Sequence, residues 1–157
     1  MPDIEFQDNS LQVKAAIESA CIAWLHEAAG EIRSQTQRNS RVDTGQTKGS
    51  WQYDVDTSEK KAVVGSPLEN AIWEEFGTGQ YALNGDGRKT PWYVPVDGYT
   101  GNKKPTYQGK VIVVYGKGGK KFYKTDGKKP QRSLQKAFDS LRNKLQKELE
   151  SRMKGIG

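Results

Sequence analysis

The chain has 157 residues, of which 34% are hydrophobic and 28% are charged. These values predict one domain, residues 1–157, with a single modest core. No apolar run is long enough to cross a bilayer, and the acidic N-terminus lacks the apolar region of a secretory signal. The single cysteine excludes an intrachain disulfide, and with one histidine it argues against a structural zinc site, which needs four nitrogen or sulfur ligands. We therefore expect synthesis in the cytoplasm and no membrane partner.

The positive charge of the chain is concentrated in one segment. The whole chain carries a net charge of +6, yet residues 101–132 hold ten lysines or arginines and one acid. This segment therefore contributes +9, and the rest of the chain contributes −3. Because the excess belongs to one segment, it does not indicate a general affinity of the whole protein for acidic partners.

The first predicted element is a long amphipathic helix from Leu11 to about Arg38. Ser10 is a candidate N-cap, and no proline interrupts the segment. The predicted buried face of this helix is a stripe of residues spaced three, four or six apart, namely Leu11, Ile17, Cys21, Trp24, Ala28 and Ile32.

A β-hairpin is predicted after this helix. Trp51, Tyr53 and Val55 alternate with polar residues, which is typical of a strand with one buried face. The apolar segment 62–66 predicts a second strand that runs antiparallel to the first. Residues 70–76 then predict a short helix, which ends at the glycines of the segment 77–79.

Residues 79–129 predict a long basic loop and β-hairpin excursion within the domain. The content of Gly, Pro, Asn and Lys predicts a surface loop as far as residue 109, with a short extended stretch at 92–98. Two apolar segments, Val111–Tyr115 and Phe122–Thr125, flank the turn sequence GKGGK and predict a second hairpin.

The last predicted element is a helix that opens at Pro130. Its apolar stripe is Leu134, Phe138, Leu141, Leu145 and Leu149. The order helix, hairpin, short helix, hairpin, helix predicts an α+β fold. In this fold the two hairpins form a small antiparallel sheet, one face of which is packed by the N-terminal and C-terminal helices.

The triplet Asp43-Thr44-Gly45 permits two interpretations. In aspartic proteases this triplet carries a catalytic aspartate that shares a proton with a second one. Here the triplet follows a polar segment, no second copy exists, and two long helices disagree with an all-β fold. The alternative is structural, because Asp43 and Thr44 can accept hydrogen bonds from nearby backbone N–H groups and Gly45 tolerates a positive φ. We favour this turn, which leads from the long helix into the strand at Trp51.

The remaining sequence contains no recognisable catalytic constellation. The adjacent residues Glu74 and Glu75 would point about 100° apart on a helix, so they cannot form a general acid–base pair. The glycines at 77–87 follow neither the phosphate-binding loop pattern nor the dinucleotide pattern. We therefore predict no enzyme, and no catalytic, cofactor-binding or metal-binding residues.

The basic hairpin, residues 110–129, also permits two interpretations. Its lysines are Lys117, Lys120, Lys121 and Lys124, and the aromatic residues among them are Tyr115, Phe122 and Tyr123. The lysines could contact phosphates while the aromatic rings stack, which would give a stand-alone nucleic-acid-binding module. Alternatively, the lysines coat an exposed hairpin and discourage edge-to-edge pairing, while alternation places the aromatic rings on a core face. We favour the second interpretation.

Two segments together resemble the small tail-component family of tailed bacteriophages, also called head–tail joining or tail-completion proteins. The first segment matches the family pattern at Asn39, Val42, Asp43, Thr44, Gly45 and Ser50. The second segment matches it at Trp73, Glu75, Phe76, Gly77 and Thr78. Pro130 and Ala137 match a proline before a C-terminal helix and an alanine within it. The chain departs from the pattern at Gln131 and Arg132, where an aromatic residue often follows the proline, and in the length and charge of residues 79–129.

The resemblance implies a structural virion protein without enzymatic activity. Such a protein is assembled in the host cytoplasm and lies in the neck, between the head connector and the tail. Its implied partners are copies of itself in a ring, with six copies as one option, the head connector, and the tail tube and terminator proteins. DNA would pass through the ring, where Lys117, Lys120, Lys121 and Lys124 could face it or face a partner.

The resemblance also suggests roles for three residues of the second segment. Trp73 and Phe76 would anchor either the core or a contact between subunits, and we favour the core because small domains usually need their large aromatic residues inside. A buried Glu75 would need hydrogen-bond donors, for which the backbone N–H groups of the turn at 43–45 are candidates.

Overall fold

The computed structural model describes residues 7–42, 45–96 and 112–156, and over these ranges it has an α+β fold. The helices are α1 (Ser10–Asn39), α2 (Gln46–Gly49), α3 (Glu69–Phe76) and α4 (Ser133–Lys154). The strands are β1 (Gln52–Asp56), β2 (Lys61–Gly65), β3 (Trp92–Pro95), β4 (Ile112–Tyr115) and β5 (Lys121–Thr125). The predicted fold class is therefore confirmed. Within the described ranges, no helix has the length and apolar character needed to span a membrane.

The two long helices α1 and α4 pack against each other in antiparallel orientation. The Trp24 indole donates a hydrogen bond to the carbonyl oxygen of Leu145 (2.9 Å), while Asn39 at the other end of α1 contacts Ser133 at the start of α4. Ala28, Ala29 and Ala137 are buried, and their small side chains let the two helix backbones approach closely. Of the predicted stripes, Ala28 and Leu145 are buried as expected, whereas the buried residues Ala29 and Ala137 lie outside both stripes.

The first turns of α1 correct two predictions. Leu11 is 81% exposed and Ile17 is 40% exposed, so neither is the core residue that the stripe predicted. α1 has 30 residues and α4 has 22, so the start of α1 extends past the end of α4. Leu11 also lies about 140° around the helix from Trp24, which meets α4. Ser10 is not the N-cap either: Asn9 holds that position, and the backbone N–H of Ser10 donates to Asp8 (2.9 Å).

The hairpins form two separate sheets, whereas one sheet was predicted. Strands β1 and β2 pair antiparallel, with Tyr53 opposite Val64, and Tyr53 lies against α1 beneath Gly30. Strands β3, β4 and β5 form a second antiparallel sheet in the order β3-β5-β4. The difference arises because β3, part of the stretch predicted as extended at 92–98, pairs with β5, while the β1–β2 hairpin is buried against α1. Residues 97–98 and Val111 lie outside the described residues.

The start of α4 is also later than predicted. Pro130 does not open the helix, which begins at Ser133 after Arg132 adopts a left-handed conformation (φ 55°). Residues 128–131 instead run alongside the end of α3, where the N–H of Gln131 donates to the carbonyl oxygen of Glu74 (2.7 Å). This pairing holds Pro130 in an extended segment rather than in the first turn of a helix.

Replacing Trp51 with phenylalanine is expected to lower the free energy of unfolding by about 1 kcal/mol. Trp51 is buried, and its indole N–H donates to the hydroxyl of Ser40 (2.9 Å), which in turn donates to the carbonyl oxygen of Thr36 (2.8 Å). Urea unfolding monitored by circular dichroism measures the loss. The matched control is Trp73→Phe, which changes a half-exposed ring and should cost about 0.5 kcal/mol or less. Equal losses for the two variants would contradict the role of the Trp51 hydrogen bond.

Candidate functional site

The N-terminus of α4 is capped by a side chain from another helix. Glu75, near the end of α3, is only 8% exposed. Its two carboxylate oxygens accept hydrogen bonds from the backbone N–H groups of Leu134 and Gln135, each at 2.9 Å. These N–H groups belong to the first turn of α4, where they have no partner within the helix, and the helix dipole favours a negative charge there. The donors that Glu75 needs are thus found on α4, whereas the turn at 43–45 was the predicted source.

Asn39, from the first motif segment, reaches the same helix start from the end of α1. Its side-chain amide donates to the carbonyl oxygen of Ser133 (3.1 Å), and its own carbonyl oxygen accepts from the Ser133 hydroxyl (3.2 Å) and from the Gln131 side chain (3.0 Å). Ser133 is buried. The two motif segments, which are separated by a whole hairpin in sequence, therefore converge on residues 131–135.

The end of the second motif is hydrogen-bonded to the segment that follows the strand β5. The N–H of Thr78 donates to the carbonyl oxygen of Lys128 (2.9 Å), and the Thr78 hydroxyl accepts from the N–H of Lys128 (3.0 Å). Lys128 also forms an ion pair with Glu74 of α3. The backbone approaches so closely here that a Cβ at Gly77 would lie 2.8 Å from the carbonyl oxygen of Lys128. Glycine is therefore required at position 77 for two reasons: its φ of 76° is unfavourable for other residues, and there is no room for a Cβ.

Sequence reasoning did not single out the partners of these motif residues. Ser133, Lys128 and Gly127 meet the two motifs in space but lie more than 45 residues after the second motif, at positions 127–133. A Cβ at Gly127, where φ is 120°, would collide with the carbonyl group of Thr78. A glycine two residues after the strand β5 was the available signal, because an isolated glycine next to a strand often marks a close backbone approach.

The turn that contains the Asp-Thr-Gly triplet is described only from Gly45 onward, since Asp43 and Thr44 lie outside the described residues. Gly45 has φ 84° and precedes the short helix α2. This left-handed conformation is the one that the turn interpretation requires of Gly45. After α2, the Ser50 hydroxyl lies 2.6 Å from the hydroxyl of Ser66, which joins the start of β1 to the end of β2.

Two aromatic residues of the second motif lie on the surface, so the prediction that they belong to the core is wrong. Trp73 is 46% exposed and Phe76 is 45% exposed. The turns of α3 that bury Ala71 and Glu75 leave Ile72, Trp73 and Phe76 on the opposite side of this short helix. A short amphipathic helix can bury only one face, and here the capping carboxylate occupies the buried one.

An apolar groove adjoins these exposed rings. It has a volume of about 510 Å³ and lies between β2, α3 and α4. Its apolar wall includes Val64, Ile72, Phe76, Leu83 and Phe138. Phe138 was predicted as a core residue of the α4 stripe but is half-exposed at this groove. The backbone N–H of Leu83 donates to the carbonyl oxygen of Phe76 (2.9 Å), which fixes the loop against the end of α3.

The basic hairpin is a second exposed surface. Lys117, Lys120 and Lys121 are exposed and Lys124 is half-buried; among the described residues none of the four forms an ion pair. The aromatic residues are divided, since Tyr123 is buried between neighbouring strands while Tyr115 is 72% exposed. The prediction that the aromatic side chains lie on a core face is therefore confirmed for Tyr123 and wrong for Tyr115. Tyr115 pairs with Lys121 across the strands β4 and β5.

The first half of the chain matches a known protein family. Residues 4–77 match the family model described as "Bacteriophage HK97-gp10, putative tail-component". The match covers 74 of the 157 residues, just under half of the chain. The matched region runs through α1, the β1–β2 hairpin and α3, and it includes Asn39, Glu75 and Gly77. Comparisons with curated proteins and with solved structures found no match.

The tail-component match confirms the resemblance to a tailed-phage tail family that was drawn from the two motif segments. The match ends at Gly77, before the basic hairpin and α4. The tail-component region thus contributes Asn39 and Glu75 to the site, while the residues that they hold, 131–135, lie beyond it. Asn39 and Glu75, one from each motif segment, thus bind the start of α4, and we call these contacts the clamp on α4.

Proposed function

We propose that this tail component lies in the phage neck, where it joins the head connector to the tail. It assembles as a ring of identical subunits around the channel through which DNA passes, and it acts by assembly and not as an enzyme. The observation that carries this proposal is the tail-component match over residues 4–77. The resemblance of both motif segments to head–tail joining proteins favours the neck over other parts of the tail.

The distribution of exposed side chains supports an assembly role. A soluble monomer gains nothing from large apolar side chains left in water, and contiguous exposed apolar patches often mark interaction sites. Here Ile72, Trp73 and Phe76 share one side of α3, beside the groove that Leu83 and Phe138 line. The clamp on α4 keeps this side of α3 facing outward, because Glu75 ties the opposite side to residues 134–135.

The joining function is tested with phage particles that lack the protein. Heads and tails from a host infected with a phage whose copy of this gene is deleted are mixed with the purified protein. We expect joined particles in electron micrographs and restored infectivity. Heads and tails that join equally well without the protein would overturn the proposal. The variant Trp73→Glu, which adds a charge to the exposed ring face, should join fewer particles, while Val63→Glu on an exposed site away from the groove should not.

The basic hairpin favours a second candidate function, nucleic-acid binding. Residues 112–125 hold four lysines and no acid, and an exposed Tyr115 lies beside them. If these lysines contact phosphates, the wild-type protein should bind duplex DNA at low salt, and the logarithm of the binding constant should fall linearly with the logarithm of salt concentration. Replacing Lys117, Lys120 and Lys121 with glutamine should reduce that slope by about 3.

The two candidates differ in the outcome of this titration. Binding of free DNA by the wild type, lost in the lysine variant, would favour the nucleic-acid-binding module. A ring subunit instead requires only that DNA pass through the channel, so it should join heads to tails even where it does not retain free DNA. Fluorescence anisotropy with a labelled duplex measures the first property, and the particle-joining assay measures the second.

A further inference from the structure

The apolar groove and the exposed side of α3 form one continuous surface, which we call the groove face. It comprises Ile72, Trp73, Phe76, Leu83 and Phe138, each about half-exposed. A half-exposed side chain of this size offers roughly 100 Å² of apolar area, so the groove face offers roughly 500 Å². A standard interface buries about 800 Å² per partner, of which about 57–65% is apolar. The apolar area of the groove face therefore matches what one side of a stable protein interface needs.

A second unpartnered apolar surface lies at the start of α1. All residues from 10 to 17 are exposed, although they are helical, and they include Leu11, Val13 and Ile17. We call this segment the α1 extension. Val13 and Ile17 continue the stripe along which Trp24 meets α4, but α4 ends before it reaches them. The extension is thus a helix face of the kind that packs on a partner.

The two surfaces lie at opposite ends of the molecule. Ile32, which lines the groove, follows the α1 extension by about 15–21 positions, or roughly 22–32 Å along the helix axis. One chain therefore cannot place its own extension in its own groove. Their charges are compatible: Lys14 lies within the extension and Asp8 precedes it, while Arg132 lines the groove and Asp139 follows the groove residue Phe138 in sequence. Each surface can offer one acid to a base of the other.

We propose that the groove face receives the α1 extension of a second copy of this chain. Because each copy presents one extension and one groove at different ends, the contact is head-to-tail, and such contacts close into rings when the rotation between copies permits. The incoming helix lays Val13 and Ile17, which lie one turn apart on the same face, over the half-exposed rings of α3 and α4, as amphipathic helices do in apolar grooves. The proposal rests on the ring assembly of the proposed function and identifies the surfaces that build it.

The test uses two full-length variants, each defective in one surface. The extension variant carries Val13→Glu and Ile17→Glu, and the groove variant carries Ile72→Glu and Leu83→Glu. The control is Val63→Glu, since Val63 is exposed to a similar degree but does not line the groove. Circular dichroism establishes that all of them fold. Native mass spectrometry and sedimentation up to millimolar concentration then measure self-association.

Each variant replaces two apolar side chains that the proposed interface would bury, so its self-association constant should be roughly tenfold to a hundredfold lower than that of the wild type. The control should associate like the wild type. The decisive sample is a mixture of the two variants. Each retains one intact surface, so a head-to-tail contact predicts pairs with one copy of each variant and no larger assemblies.

Other outcomes separate the interface from the ring. If the wild type forms rings and the extension variant forms them equally well, a different element occupies the groove and the proposed contact is overturned, while ring assembly stands. If both variants are monomeric but their mixture forms no pairs, the contact is not head-to-tail and the proposal is likewise overturned. A wild type that remains monomeric at millimolar concentration and on joined particles would overturn both the contact and the ring.

Discussion

Replacing Glu75 with alanine is expected to lower the free energy of unfolding by about 3 kcal/mol. The substitution removes the acceptor of two backbone hydrogen bonds at a buried site, those from Leu134 and Gln135. Both N–H groups would then lack a partner at the start of α4, and the favourable interaction of a carboxylate with the helix dipole would be lost as well. Because α4 supplies one half of the main helix pair, the whole fold should lose stability.

Urea unfolding monitored by circular dichroism measures this effect. Glu75→Gln keeps one acceptor oxygen but removes the charge, so it should lose about half as much. The matched control is Glu69→Ala, at an exposed position at the start of α3, the helix that also carries Glu75. This substitution should cost about 0.5 kcal/mol or less. A Glu75→Ala variant that is as stable as the control would contradict the clamp on α4.

The second large effect is expected for Gly79→Ala, which should cost about 3 kcal/mol or more. Gly79 has φ 61°, a conformation that costs an alanine about 1 kcal/mol. In addition, a Cβ at this position would lie 2.8 Å from the Trp92 ring and closer still to the carbonyl oxygen of Asp126. A backbone oxygen in a paired segment cannot move aside cheaply, so the loop would separate from the end of β5.

Gly85→Ala separates these two contributions. Gly85 has a similar conformation, φ 72°, but nothing lies within 4 Å of the position that a Cβ would occupy. The control should therefore lose only the conformational part, about 1 kcal/mol. Thermal unfolding of both variants gives the difference directly. Losses of similar size would show that the backbone contact between Gly79 and Asp126 contributes little to stability.

Much of the local structure could be predicted from the pattern of residue types. The periodicity of α1 and α4, the alternation of Trp51, Tyr53 and Val55, and the glycines that end α3 each depend on neighbours in sequence. Such signals are sufficient for the two long helices, for α3 and for the fold class, but not for α2 or for the start of α4. The single-domain prediction for residues 1–157 is not tested by these features and stays a prediction.

Contacts between distant parts of the chain could not be predicted in the same way. The pairing of β3 with β5, and the capping of α4 by Glu75, join residues that are about 30 to 60 positions apart. Many alternative partners for Glu75 fit the same sequence pattern, since any free backbone N–H satisfies a carboxylate. The turn at 43–45 was one such alternative, and the geometry of α3 against α4 decided in favour of Leu134 and Gln135.

The exposure of Trp73 and Phe76 was unpredictable for a different reason. A large apolar side chain carries the same sequence signal whether it is buried in its own domain or in an interface with a second chain. Ile17 is a related case, because it lies on the same stripe of α1 as Trp24 and is left uncovered by the shorter length of α4. Both errors fall on the surfaces that we propose for assembly.

The position of the protein in the virion is the most direct measurement of its function. Phage particles that carry a copy of the protein tagged at its C-terminus can be labelled with gold-conjugated antibody and imaged by electron microscopy. Neck joining predicts a label between head and tail tube on every joined particle. A label at the distal tip of the tail, or virions that contain none of the protein, would contradict it.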